Sequence, residues 1–238
     1  MTESTTWLIS GTSRGIGLEL VRQLVASPSN LVIATCRKPD GASALKALKG
    51  SAKGSLHIVS LDTGNEASIR ASVKEVDKIL AGRGLDYLYN NAAITEGNDS
   101  AFEFSYKGLL ETLQVNVAGP ALMAQVYLPY LDRGRRKVIV NTTSGLASIG
   151  LDFGAKNATY SVSKTALNML TYKQARARPD FTAIVLDPGW VKTGESMGGA
   201  GAVLEPEESV SGIVKVVTAL TPADSGKFFR YNGTQHPW

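Results

Sequence analysis

The sequence predicts a doubly wound α/β fold, a parallel sheet with helices on both faces. Short, near-continuously apolar runs recur along the chain, as strands buried on both sides require. Between them lie stretches with apolar residues at three- and four-residue spacing, the mark of amphipathic helices. The first apolar run also ends in a glycine-rich turn that opens directly into such a helix, Ser10-Gly11-Thr12-Ser13-Arg14-Gly15-Ile16-Gly17.

Taken in order, Trp7 to Ser10 reads as the first strand, and Ile16 to Val25 as a helix whose stripe is Ile16, Leu20, Val21 and Leu24. Leu31 to Cys36 is a second buried strand, Ala42 to Leu48 a helix, and Leu56 to Leu61 a third strand. Glu66 to Leu80 carries Ile69, Val73, Val76 and Ile79 on one helical face. Leu85 to Tyr89 is the fourth strand, ending at Asn90-Asn91. One long helix is expected over Tyr106 to Leu131, then a strand over Lys137 to Asn141. A helix from Thr159 to about Arg176 and a strand from Phe181 to Leu186 follow. No linker or internal repeat divides the pattern, so residues 1–238 are read as a single Rossmann-like domain.

Composition agrees with that reading. A chain of 238 residues with 43% hydrophobic and 19% charged residues can bury a substantial core. The net charge of +4 is modest. Its densest cationic cluster, Arg133, Arg135 and Arg136, reads as a solvated helix end, and no basic aromatic surface suggests nucleic acid. The single cysteine, Cys36, excludes an intramolecular disulfide and suits a reducing compartment. The two histidines, His57 and His236, lie far apart in sequence and make a zinc site improbable. Neither a secretory leader nor an apolar run of ~20 residues is present, so a cytoplasmic protein without membrane spans is expected.

Chemistry is carried by two constellations. Glycines at 11, 15 and 17, between a strand and a helix, let backbone amides approach a pyrophosphate at the helix N-terminus. Where an acidic residue ending the second strand would favour NAD, this chain has Cys36 followed by Arg37 and Lys38. A neutral residue followed by cations, with Arg14 nearby, suits a 2′-phosphate and predicts NADP(H). Downstream, Tyr160 and Lys164 are four apart and would share one helical face. A tyrosine near pKa ~10 needs a neighbouring cation to serve as acid or base near neutrality, and Lys164 is expected to lower it. Ser144 can hydrogen-bond a substrate oxygen. Together these features point to hydride chemistry on a carbonyl or alcohol.

The set resembles the short-chain dehydrogenase/reductase family. It comprises Ser10 to Gly17, Asp62, Asn90-Asn91-Ala92, Asn116, Ser144, Tyr160 to Lys164 and Pro188 to Thr193. The tail Tyr231-Asn232-Gly233 through Pro237-Trp238 resembles the subgroup of small carbonyl reductases similar to C-factor and sniffer proteins. The resemblance implies a catalytic set of Asn116, Ser144, Tyr160 and Lys164. Tyr160 would exchange a proton with the substrate oxygen, and Ser144 would orient that oxygen. Lys164 would bind the nicotinamide ribose, while Asn116 kinks its helix and holds a water in a proton relay to Lys164. The resemblance also implies cofactor contacts from Gly11, Ser13, Arg14, Gly15, Ile16, Gly17, Arg37, Asp62, Asn90, Ala92, Tyr160, Lys164, Pro188, Gly189, Val191 and Thr193. Within these, Asp62 would meet the adenine, Asn90 would sit beside the adenosine ribose, and Thr193 would bond the carboxamide.

The family's Ser-Ser pair is Thr143-Ser144 here, and its Asn-Asn-Ala-Gly is Asn90-Asn91-Ala92-Ala93. The spacing from Ser144 to Tyr160 is longer than usual in the family, which places a small insertion near Asp152 to Lys156. Gly194 to Leu204 reads as a lid, and Leu146, Phe153, Trp190 and Met197 as candidates for an apolar pocket wall. The leading expectation is an NADPH-dependent reductase of a small-molecule carbonyl or alcohol, with no metal. An NADP(H)-binding regulatory or signalling protein of weak activity is the alternative. The resemblance leaves the oligomeric state open: a homodimer or homotetramer through the helices expected near 106–131 and 159–176, or a monomer.

Overall fold

The protein is described by a computed structural model covering residues 4–194, 199 and 201–238. Its strands among the described residues are β1 (Thr5–Ser10), β2 (Asn30–Cys36), β3 (Ser55–Ser60), β4 (Tyr87–Asn90), β5 (Val138–Thr142), β6 (Thr182–Asp187) and β7 (Phe228–Arg230). The helices are α1 (Gly15–Leu24), α2 (Ser43–Ala47), α3 (Glu66–Leu80), α4 (Tyr106–Leu113), α5 (Gly119–Asp132), α6 (Ala158–Ala177) and α7 (Pro206–Ala219). The strands form one sheet in the order β3-β2-β1-β4-β5-β6-β7. Every neighbouring pair runs parallel. The chain first builds outward from β1 to β3, then returns to place β4 on the other side of β1. That reversal opens a crevice at the carboxyl ends of β1 and β4.

The period of two along the strands divides the core into two layers. Trp7 and Ile9 face Leu20, Val21 and Leu24 of α1 and Val210, Ile213 and Val217 of α7. Leu8 turns the other way, toward Ile69, Val76 and Leu80 of α3 and Met123, Tyr127 and Leu131 of α5. Each fully buried aliphatic side chain of this kind contributes about 1.5–3 kcal/mol. Among the described residues, no helix is long and apolar enough to cross a membrane.

Three features depart from the sequence expectation. First, α7 and β7 were not anticipated. Val210, Ile213 and Val217 do carry helical spacing after Pro206 at the helix start, but β7 has only three residues and too little length to alternate. Second, the long helix expected over 106–131 is interrupted at Gln114–Ala118, which winds as a π turn between α4 and α5. The wider turn brings the Asn116 side chain, fully buried, onto the backbone of Ile94. Third, the arginine cluster is not merely solvated. Asp86 is 2% exposed and demands compensation. The backbone amides of Arg135 and Arg136 donate to its Oδ1 at 2.8 and 3.2 Å, and the Arg135 guanidinium pairs with Oδ2 at 3.3 Å. Arg136 reaches the carbonyls of Thr218 and Leu220, pinning the end of α7.

Candidate active site

The glycine turn is built against the end of β4. Ser10 Oγ accepts from the backbone amides of Asn91 (3.0 Å) and Ala92 (3.1 Å). The Asn91 amide donates to the carbonyls of Ser10 and Gly11, both at 3.1 Å. Gly11 has φ +70°, and a Cβ there would stand 2.8 Å from Ala92 Cα. A Cβ on Gly17 would stand 2.2 Å from the Gly11 carbonyl oxygen. Only glycine at these two positions lets the turn pack this closely on the end of β4 and on the start of α1. Thr12 anchors the turn to β2 through two contacts with the Thr35 carbonyl. Ser13 and Arg14 are exposed, and Ile16 is half-buried. Arg14 is the N-cap of α1, in extended conformation, and its side chain caps nothing. The free amides of the first helical turn therefore remain available to an anion.

Around this turn lie the expected adenosine-side residues. Cys36 ends β2 with its side chain buried, and burial raises its thiol pKa. Arg37 and Lys38 follow, exposed. Asp62 is half-buried, with Oδ1 accepting from the Gly64 amide at 2.9 Å. Asn90 is buried, and its amide donates to Asn141 Oδ1 at 2.8 Å. Its own Oδ1 is buried without a protein partner, a state that calls for a ligand or water donor.

The catalytic candidates stand on β5 and α6. Ser144 stands two residues past the end of β5, and its Oγ accepts from Leu146 N at 3.2 Å at the start of the short turn Gly145–Ala147. Tyr160 lies in the first turn of α6 and is half-buried. Lys164, one helical turn later, is 1% exposed. Its Nζ donates to the Thr142 carbonyl at 2.7 Å and lies 5.7 Å from the centre of the Tyr160 ring. Asn116 Oδ1 accepts from Ile94 N, while its Nδ2 donates to Ile94 O and to Ser163 Oγ. Ser163 Oγ in turn donates to the Tyr160 carbonyl at 2.7 Å. The Asn116 side chain therefore ties the π turn to α6, with both of its donors engaged.

The electrostatics differ from the expectation. Burial raises the Tyr160 phenol well above its ordinary value, and the negative charge of Asp187 raises it further. Burial brings the Lys164 ammonium down to about 7. Desolvation of both groups outweighs the stabilisation of a phenolate by Lys164 in this arrangement.

The last wall is the segment after β6. Pro188 is buried, its carbonyl accepting from Ser209 Oγ at 2.7 Å. Gly189 turns with φ +78°, and its amide donates to Asp187 Oδ1 at 3.0 Å. Val191 is buried and bridges to Leu204. Thr193 closes the circuit: a Cβ on Gly15 would lie 3.2 Å from the Thr193 side chain. Thus the segment 188–193 meets the glycine turn.

Of the expected lid, residues 195–198, Met197 among them, and residue 200 lie outside the described residues. Of the other pocket-wall candidates, Trp190 and Phe153 are exposed and Leu146 is half-buried. Phe153 lies beside Gly145, whose Cβ would be 3.1 Å from its ring. The segment expected as an insertion, residues 152–156, is an exposed loop with positive φ at Asp152 and Gly154. Asn91 lies inside the Asn90-Asn91-Ala92 motif with no role expected of it, and Asp187 falls between the strand expected to end at Leu186 and the motif starting at Pro188, so neither carries a signal of its own in the sequence.

The fold has counterparts among known proteins. The sequence model described as short chain dehydrogenase matches residues 5–198. The chain is similar to the NADPH-bound carbonyl reductase from chicken fatty liver, 34% identical, with a TM-score of 0.91 over 99% of this chain and 100% of that one. The carbonyl reductase Sniffer of Drosophila melanogaster is 30% identical, with a TM-score of 0.91 and the same coverage. C-signal of Myxococcus xanthus is 34% identical over 65% of this chain and 93% of its own length. With its strand order, glycine turn and matched span, the chain belongs to the short-chain dehydrogenase family.

Proposed function

We propose that the protein is an NADP(H)-dependent carbonyl reductase, residues 1–238 acting as one catalytic domain. What supports this reading is the shared placement of these groups at the carboxyl edge of the sheet: Ser144 past the end of β5, Lys164 bonded to the Thr142 carbonyl that ends β5, the glycine turn at the end of β1, and Thr193 against Gly15. The crevice fits a dinucleotide. Its glycines leave no room for side chains, its helix start offers free amides, and the buried Asn90 Oδ1 lacks a partner. The 2′-phosphate of NADP(H) suits Arg14 and Arg37, with no carboxylate at the end of β2 to repel it. The NADPH-bound chicken relative supports the same cofactor.

When bound, the nicotinamide supplies the hydride that reduces the carbonyl carbon. This chain's residues do the rest. Ser144 Oγ holds the substrate oxygen, and Tyr160 Oη delivers the proton that converts it to a hydroxyl. A raised phenol pKa keeps Tyr160 protonated through neutral pH, the form that reduction requires. Lys164 would bind the cofactor's ribose, whose hydroxyl oxygens accept from the ammonium and so favour the cationic form beside Tyr160. Asn116 fixes the start of α6 through Ser163, and so fixes the height of Tyr160 in the crevice.

The test is NADPH consumption against a panel of ketones, aldehydes and quinones, comparing wild type with Tyr160→Phe. Turnover should fall by at least ~10²-fold, the scale of a lost general acid, while NADPH binding persists. Near-normal turnover in the variant would remove Tyr160 from its role.

A further inference from the structure

The carboxylate of Asp187 is shared between two parts of the chain. Its Oδ1 accepts from the Gly189 amide, as described above, and its Oδ2 stands 3.0 Å from Nε2 of His236. Both side chains are nearly buried, at 11% and 14% exposed. Oδ2 also lies 3.6 Å from where a Gly145 Cβ would stand, directly beside the residue that follows Ser144.

His236 reaches this point because the tail folds back on β7. Arg230 N donates to Thr234 O, Phe229 bridges antiparallel to Gln235, and His236 N donates to Phe228 O at 2.9 Å. The Phe228 ring then packs edge-on against His236, with centroids 5.1 Å apart. Beyond it, the tail grips the segment that follows Ser144. Ser148 Oγ donates to Pro237 O at 2.6 Å, and Gly150 N donates to Trp238 O at 3.0 Å.

We propose that Asp187 and His236 form a positioning pair for the reaction, seating the tail behind the 144–151 segment so that Ser144 is held at a fixed place beside Tyr160. The inference rests on the carbonyl reductase reading of the site. Neither residue needs to touch substrate. Asp187 bonds the turn at Pro188-Gly189 and the tail, and lies beside Gly145; the tail meets it through Tyr231 N on its carbonyl and through the His236 ring on its carboxylate. Asp187 also bears on the proton donor directly, since its charge acts on the Tyr160 phenol. A hydrogen bond to a charged group at this depth is directional and holds its partners to a narrow geometry. Small displacements of an orienting group cost turnover more than binding.

Two variants divide the contact from the packing. His236→Phe keeps a ring against Phe228 and loses the bond to Asp187. His236→Gln loses the ring and keeps an N–H donor of similar reach. In steady-state reduction of the best panel substrate, His236→Phe should lower kcat about tenfold with the NADPH dissociation constant unchanged, and His236→Gln should recover most of that loss. The proposal is overturned if His236→Phe retains kcat, if His236→Gln falls equally far, or if the loss appears in NADPH affinity instead. Wild type that turns over no carbonyl would overturn the underlying reading, and this inference with it, a result distinct from an active wild type with indifferent variants.

Discussion

The two sides of the crevice are held by different means. On the β1–β4 side, backbone meets backbone: Ser10, Gly11, Asn91 and Ala92 interlock within a few residues of two strand ends. On the β5–β6 side, side chains from distant parts of the chain hold the structure, with Ser144 past β5, Lys164 on α6, Asp187 at the end of β6 and His236 in the tail. The first side tolerates no added atom, because its spacing is set by main chain that cannot retreat. The second tolerates shape changes but depends on charge and hydrogen bonding. Mutations should therefore fail in different ways: by steric exclusion on one side, and by altered proton affinity or loosened geometry on the other.

The most damaging probe of the backbone-built side is Gly17→Ala. The new methyl would lie 2.2 Å from the Gly11 carbonyl oxygen and 2.7 Å from Asn91 Nδ2. Relief requires moving the glycine turn itself, at a cost of about 1–3 kcal/mol. NADPH affinity is expected to fall by more than about tenfold, since the displaced amides are those proposed to hold the pyrophosphate. Fluorescence titration with NADPH and a thermal melt measure the two effects. Wild-type affinity in Gly17→Ala would mean that side-chain contacts, not the main chain, dominate binding on this side too.

On the side-chain-built side, Lys164→Met should uncouple stability from activity. Lys164 ionises in water near ~10.4 but is brought down to about 7 by burial. Between those values the unfolded chain holds a proton that the folded protein has released, so stability rises with pH across that window. Below about 7 the folded state carries a buried ammonium and bears the full penalty. Replacing Lys164 by Met removes the group, so the apoprotein should be more stable at neutral pH, by at least about 1 kcal/mol. That is roughly 2–4 °C in Tm at this length. Carbonyl reduction should be lost. The difference in Tm between the two proteins should shrink from pH 7 toward pH 10. A variant that melts below wild type at pH 7 would show that the Nζ–Thr142 hydrogen bond outweighs desolvation.

The same contrast explains how far the sequence could be read. The interlocked side is local: a strand, a glycine turn and a helix within Trp7 to Val25, and Asn90-Asn91 at the end of a short apolar run. Periodicity and glycine spacing report such structure directly, and the elements fell within a few residues of their expected bounds. The π turn at Asn116 has no periodic signature, because one added residue per turn is invisible against the apolar spacing on either side. The short β7 has the same difficulty, since three residues cannot display alternation. His236 was weighed only as a possible metal ligand. Its partner is 49 residues away in sequence and meets it only because the tail doubles back over β7. The direction of the Tyr160 shift is hidden from the sequence for a related reason. Proximity of a lysine is legible in a four-residue spacing, whereas the depth at which both groups lie is a property of the assembled sheet and helices.

The smallest effect tests the edge of the backbone-built side, where it gives way to solvent. Arg37 follows the buried Cys36 and is itself exposed. An exposed guanidinium gains only about 1 kcal/mol from a charged partner, because water screens the pair and the side chain must be ordered. Arg37→Ala should therefore weaken NADPH binding by about fivefold and leave NADH binding unchanged, since only NADPH carries the 2′-phosphate. Titrating both cofactors against both proteins separates the cases. Equal weakening of NADH would assign Arg37 to the general electrostatics of the crevice, and no change for either cofactor would leave Arg14 as the discriminating cation. A loss far above fivefold would imply that Arg37 becomes buried against the cofactor. The exposed rim would then close on the ligand instead of meeting it through solvent.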